Sequence, residues 1–198
     1  ASPGGPCGTP HRVAAYVIGG EVNPFELSCA AEVFARGDGH YRFDVVADRE
    51  GPIRSTRGFG IVPGAFGPAA LEQADTVIVP AARDLERPGE EVVEALRAAH
   101  ARGARLVSIC SGAFVLAHAG LLDGRAATTH WWYTDELARR FPRIDVRPDV
   151  LYVDEGRILT SAGSAAGLDL CLHIVRSDHG AAYANHVARA LVTAPHRS

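Results

Sequence analysis

The sequence predicts a single α/β domain built on a mostly parallel sheet, and three observations carry that prediction. Short runs rich in Val, Ile and Leu alternate with helix-period segments along the chain, the pattern of βαβ units with helices on both sheet faces. The strand-like runs are apolar without polar alternation, as strands buried on both faces must be. The length, 198 residues with 47% apolar and 22% charged side chains, fits one compact globular domain.

Residues 1–10 are rich in Gly and Pro and lack periodicity, so they read as a flexible leader, with the folded domain spanning 11–198. Residues 12–18 read as a buried strand ending at Gly19-Gly20. Pro24 opens a helix to about Arg36 with Leu27, Ala30, Ala31 and Phe34 on one face. Residues 43–47 form the next strand, and 53–62, broken by Gly58 and Gly60, a small hairpin. A short helix at 69–73 precedes a strand at 76–80. An amphipathic helix at 90–102, through Val93, Leu96, Ala99 and His100, stops at Gly103. The strand 105–109 runs straight into a helix at 112–119. Residues 131–141 read as helix, 150–154 and 158–161 as strands around Glu155-Gly156, and 165–192 as two helices broken near Gly180.

Composition excludes several functions. All 20 basic residues are Arg, so lysine-dependent Schiff-base chemistry and phosphate-binding loops are absent from this chain. The net charge of −3 supplies no electrostatic reason to hold nucleic acid or an anionic membrane. Cys7, Cys29, Cys110 and Cys171 form no CxxC pair, and the nine histidines form no HxxxH or HExxH pattern, so neither a metal nor another cofactor is expected. Nothing resembles a secretory segment or a run of about 20 apolar residues, and a cytoplasmic location is expected.

In open α/β sheets chemistry collects at the carboxyl ends of the strands, which makes the turn at Cys110 the first place to look. Ser108-Ile109-Cys110-Ser111-Gly112 has the spacing of a nucleophile elbow with Cys in the central place. A thiol at a helix N-terminus faces unpaired N–H groups, which predicts a lowered thiol pKa, and the Ser111 N–H would serve an oxyanion. The alternative is a buried Cys packing as a small apolar residue. That core role is the expectation for Cys29 and Cys171.

These residues resemble the ThiJ/PfpI-like branch of the class I glutamine amidotransferase superfamily. The resemblance rests on 108–114, on 117–131 with Thr128-Thr129-His130-Trp131, on 153–163 and on 166–172, and it is strongest to the amino-terminal domains of AraC-type transcriptional regulators. It implies a flavodoxin-like three-layer sandwich, a homodimer, a small-molecule ligand, and DNA binding only through a carboxy-terminal domain not in this chain. The stretch 188–197 is similar to the junction ahead of that domain.

Carried over by resemblance, Cys110 is the elbow cysteine, Glu26 the acidic residue that contacts it, and His130 a histidine near it. Ser111, Gly112 and Trp131 are expected at the ligand surface, with Trp131, Trp132 and Tyr133 as an aromatic wall. Glu26 equally fits a surface role in its helix's first turn, and His130 simple packing on Trp131. Ser111 stands where peptidase-like members carry His, and His173, His179 and His186 lack a Glu two residues on, against peptidase and glutaminase activity. A ligand-sensing domain is therefore expected first. A Cys-dependent hydratase or glyoxalase-like lyase, similar to isocyanide hydratase, is the alternative, and thiol redox sensing a third.

Overall fold

The computed structural model describes residues 8–81 and 86–196. Cys7 and most of the leader lie outside them. In chain order the elements are β1 (His11–Val17), β2 (Glu21–Val22), α1 (Pro24–Phe34), β3 (Tyr41–Ala47), β4 (Ile53–Ser55), β5 (Gly60–Ile61), β6 (Ala65–Phe66), β7 (Thr76–Val79), α2 (Glu90–Ala101), β8 (Arg105–Ile109), α3 (Gly112–His118), β9 (Ala126–Ala127), α4 (Thr134–Arg140), β10 (Asp145–Val146), β11 (Tyr152–Asp154), β12 (Ile158–Ser161) and α5 (Ala165–Ala190).

Seven strands form the central sheet in the order β11-β12-β8-β7-β1-β3-β6. Every pairing in it is parallel except that of β11 with β12. β1 and β3 run in register from His11 opposite Tyr41 to Val17 opposite Ala47. The apolar run from Val13 to Val17 is buried throughout because helices cover both faces. On one face α2 and α3 contribute Val92, Leu96, Phe114 and Leu116. On the other, α1 and α5 contribute Val33, Phe34, Leu170, Ile174 and Val187. The chain is thus the expected flavodoxin-like three-layer α/β sandwich.

Local chemistry sets the element ends. Asn23 caps α1, its Oδ1 accepting the Phe25 N–H at 3.0 Å, and Pro24 occupies the first turn, where a missing N–H costs nothing. The kink anticipated near Gly180 is present. Gly180 has φ 84° and ψ 169°, a conformation open in practice to glycine, and it divides α5 in two. Next to it Asp178 accepts hydrogen bonds from Arg105 at 2.7 and 3.0 Å and from the Tyr41 hydroxyl at 2.9 Å, fastening α5 to the starts of β8 and β3.

Three stretches differ from expectation. Residues 131–141 are not one helix: a 3-10 turn at Trp131–Tyr133 precedes α4, because the Thr134 hydroxyl bonds back to the Trp131 carbonyl and starts a new turn. The helix expected at 69–73 is a 3-10 helix at Pro68–Leu71. The hairpin of β4 and β5 is present, but β2 pairs parallel with β4, making a three-stranded side sheet that sequence periodicity did not reveal in a two-residue strand. Among the described residues no helix is long and apolar enough to cross a membrane, and no three His, Cys, Asp or Glu side chains converge where a metal could bind.

Candidate functional site

β8 enters α3 through only two residues, Cys110 and Ser111. Cys110 has φ 58°, an uncommon conformation for a residue with a side chain. Neighbouring strands over-determine it. The Cys110 N–H donates to the Ser161 carbonyl at 3.1 Å, and the Cys110 carbonyl accepts from the Thr129 hydroxyl at 2.8 Å. Gly112 permits the close packing behind the turn: a Cβ there would lie 2.2 Å from the Val79 carbonyl oxygen.

The turn after β12 closes over the sulfur. A Cβ on Gly163, which has φ 83°, would lie 2.4 Å from Cys110 Cβ and 3.1 Å from its Sγ. Ser164 follows with φ 50°. Among the described residues only Cys110, Ser164 and Val192 are non-glycines with positive φ, so two of the three lie at this site. Backbone strain of this kind costs about 1–3 kcal/mol per residue and persists where surrounding structure holds it. The Ser164 N–H faces Glu26, with both carboxyl oxygens at 3.0 Å.

Glu26 projects from the first turn of α1 and is 1% exposed, so the surface alternative fails for it. Its carboxyl meets the Cys110 sulfur in a side-chain hydrogen bond. Burial pushes the Glu26 carboxyl up, outweighing the Ser164 N–H and the thiol contact, which favour its charge. Burial and the Glu26 carboxylate together push the Cys110 thiol up to about 12, against the Ser111 N–H and hydroxyl, which pull it down. The lowered thiol pKa expected at a helix N-terminus is therefore overturned. The Ser111 donors are present, but α3 is only seven residues long and burial beside a carboxyl outweighs them. Burial thus works against the charged form of both groups.

A cleft of about 570 Å³ opens on this pair. Cys110, Glu26, Ser111, Ser164 and Ala81 line its floor and lower wall. The side sheet supplies Glu21, Val22, Arg54, Ser55 and Thr56, and the 3-10 turn supplies Trp132 and Tyr133 beside His130. Arg54 and Glu21 form an ion pair of 3.3 Å within this lining. Of the expected residues, the structure thus brings Cys110, Glu26, Ser111 and His130 to one cleft. Gly112 and Trp131 do not line it. Gly112 is spent on packing against β7, and Trp131, 66% exposed, stacks on the His130 ring while its neighbour Trp132 enters the wall. His130 Nδ1 accepts the Trp132 N–H at 3.3 Å, which ties the ring to the aromatic turn.

Sequence reasoning missed Ser164, Asn23 and the side-sheet wall. The signal for Ser164 was its place just after a strand's carboxyl end, the rule that singled out Cys110. Cys29 and Cys171 are buried as expected, but Cys29 lies directly behind the site, its thiol directed at the Ser164 carbonyl at 3.7 Å.

Residues 11–177 match the DJ-1/PfpI family. An uncharacterized protein of the cpoL 5′ region of Streptomyces lividans is 41% identical over 140 residues, covering 67% of this chain and 96% of that protein. The HTH-type transcriptional regulator CdhR of Pseudomonas aeruginosa is 35% identical over 154 residues, 77% of this chain and 45% of the regulator. The chain accordingly spans less than half the length of that relative. Isonitrile hydratase of Pseudomonas putida is 36% identical over 106 residues, 54% of this chain and 45% of the hydratase. In fold, an AraC family transcriptional regulator from Pseudomonas putida superposes with a TM-score of 0.81 at 23% identity, over 92% of this chain and all of that one. The expected relationship to regulators is met, alongside one to an enzyme. With its matched span, its parallel sheet and its cysteine turn, the chain belongs to the DJ-1/PfpI family.

Proposed function

We propose that this chain is the ligand-sensing and dimerisation domain of an AraC-type transcriptional regulator, with the Cys110 cleft as effector site and DNA held by a helix-turn-helix part outside it. The single observation that carries this reading is a cleft of small-molecule size with the buried Cys110–Glu26 pair among its lining residues. Burial and the neighbouring Glu26 carboxylate push that thiol up, which favours hydrogen bonding to a ligand over attack on one. Cys110 and Glu26 read the ligand, the Ser111 backbone and hydroxyl orient the thiol, and Trp132 supplies an apolar face. The likeness to CdhR points the same way.

The test is a thermal-shift screen of a small-molecule panel on wild type and Cys110→Ala, with product analysis of every hit. Saturable stabilisation without turnover, weakened in Cys110→Ala, is the expected result; an unliganded chain over a broad panel would count against it. A ligand present at 100 times its Kd stabilises by about 2.7 kcal/mol, well within reach of the assay.

The Glu26–Cys110 contact also favours a second reading, a hydratase. There the Cys110 thiol would add to an electrophilic carbon, its proton passing through Glu26 to the substrate, and water would then displace the sulfur and restore the thiol, the Ser111 N–H facing the developing charge. The relationship to isonitrile hydratase supports it. Isonitrile consumption by wild type that disappears in Cys110→Ala would establish this reading over the first.

A further inference from the structure

We propose that His130 is a positioning residue, whose unprotonated Nδ1 holds the Trp131–Tyr133 turn and thereby sets the aromatic wall of the Cys110 cleft. His130 stands at the N-cap of that turn with φ −56° and ψ 138°, extended backbone ahead of a helical residue. The cap is its ring: Nδ1 accepts the Trp132 N–H at 3.3 Å. Caps of this kind are normally Ser, Thr, Asp or Asn, and an imidazole differs from these in being able to lose its acceptor.

The ring is also packed into the turn it caps. It lies 5.8 Å from the Trp131 ring in stacked orientation, 5.1 Å from Trp132 and 6.0 Å from Tyr133. The two indoles touch each other at 5.2 Å. Trp132 is 68% exposed yet lines the cleft, so little besides this turn geometry fixes where its ring stands. The turn is anchored to the site at its other side, since Thr129, just before His130, bonds the Cys110 carbonyl.

A proton settles the chemistry of this cap. With Nδ1 accepting, the neutral ring carries its hydrogen on Nε2. Protonation puts hydrogens on both nitrogens, and Nδ1–H then opposes the Trp132 N–H. His130 therefore serves the wall only while neutral, and it cannot act as a base through Nδ1 without releasing Trp132. The titratable and charged groups that share its cleft are Glu21, Glu26, Arg54, Cys110 and Tyr133. Burial pushes the imidazole below its ordinary value, in keeping with a folded state that prefers the neutral ring. The contribution is full above about 6.5, the unfolded value, and is lost as pH falls through the folded one. None of this depends on what the cleft binds.

Trp131 and Trp132 are the chain's two tryptophans, so their emission and near-ultraviolet circular dichroism report this turn alone. The experiment follows both signals between pH 8 and 4.5 in wild type, His130→Asn and His130→Ala, with far-ultraviolet circular dichroism to exclude unfolding. Wild type should show a red shift of emission and loss of the coupled-indole signal in the acid part of the range. His130→Asn, which keeps an acceptor that does not titrate, should hold the neutral wild-type signature throughout. His130→Ala should show the acid signature already at pH 8. A His130→Ala signature equal to neutral wild type, a His130→Asn variant that still titrates, or a wild type that shows no transition would each overturn the proposal. Should His130→Ala fail to fold, the His130→Asn comparison decides alone.

Discussion

Glu26 and Cys110 are each unremarkable in type, and their meeting at 1% and 8% exposure is what sets the chemistry of this molecule. An isolated buried carboxylate is costly, so a carboxyl in such a place retains its proton unless donors outnumber the penalty. Here the Ser164 N–H is one donor shared by two oxygens, and burial wins. The sign for stability follows. A carboxyl raised in the folded state favours folding fully below its unfolded value near 4.5, and that contribution is lost as pH rises through the folded value. Glu26→Gln, which keeps an acceptor for Ser164 and cannot ionise, should therefore gain in melting temperature over wild type as pH climbs from about 5 to about 8. Parallel melting curves across that range would show that Glu26 carries no penalty. Cys110 was legible because it sits in a strand-to-helix turn with no loop, and Glu26 because the family resemblance placed it beside that cysteine. Their mutual burial was not legible, and so the thiol's direction of shift was missed. A helix N-terminus can be read from a sequence, whereas the neutral and charged atoms that crowd it from α1 and the turn after β12 cannot.

At the scale of elements, the site depends on how closely α3 descends onto β7. The Gly112→Ala substitution places a methyl 2.2 Å from the Val79 carbonyl oxygen and 2.8 Å from that of Pro80. Backbone cannot swing aside as a side chain can, so the helix must rise. Denaturant unfolding should show a loss of about 1–3 kcal/mol, with a matching fall in any Cys110-dependent binding. An unchanged midpoint would mean that α3 is not held where the turn requires. The long elements were plain in the sequence: β1, β7 and β8 as unbroken apolar runs, α2 as an amphipathic stripe, and α5 with its break at Gly180. The two-residue strands β2, β5, β6, β9 and β10 were mostly not, because two residues carry no periodicity and their pairing is decided by neighbours distant in the chain. The cost of that gap fell on the cleft wall, where β2 and β4 place Glu21, Arg54 and Ser55. The choice of Trp132 over Trp131 was lost for the same reason, since a 3-10 turn points successive side chains differently from an α-helix.

Across the whole molecule the strand order sends β1, β7, β8 and β12 to one carboxyl-end surface, and each delivers a part of the cleft or its support. The opposite end is closed by Arg105, Asp178, Tyr41 and Thr76, a hydrogen-bonded group with no role in the cleft. That division separates a stabilising end from the end that carries the cleft, as parallel α/β domains commonly do. One scaffold of this family serves both regulators and an enzyme. The proposed regulatory reading and the hydratase alternative make different demands on the Cys110 sulfur, which is pushed up by burial and Glu26. The most direct measurement is the ultraviolet absorbance of the thiolate across pH, taken as the difference between wild type and Cys110→Ala. With the thiol pushed up to about 12, no thiolate should appear from Cys110 through pH 8, and its alkylation at neutral pH should be on the order of a thousandfold slower than that of a free cysteine of pKa about 8.5. A thiolate already present at pH 7 would contradict the account and make Cys110 a nucleophile.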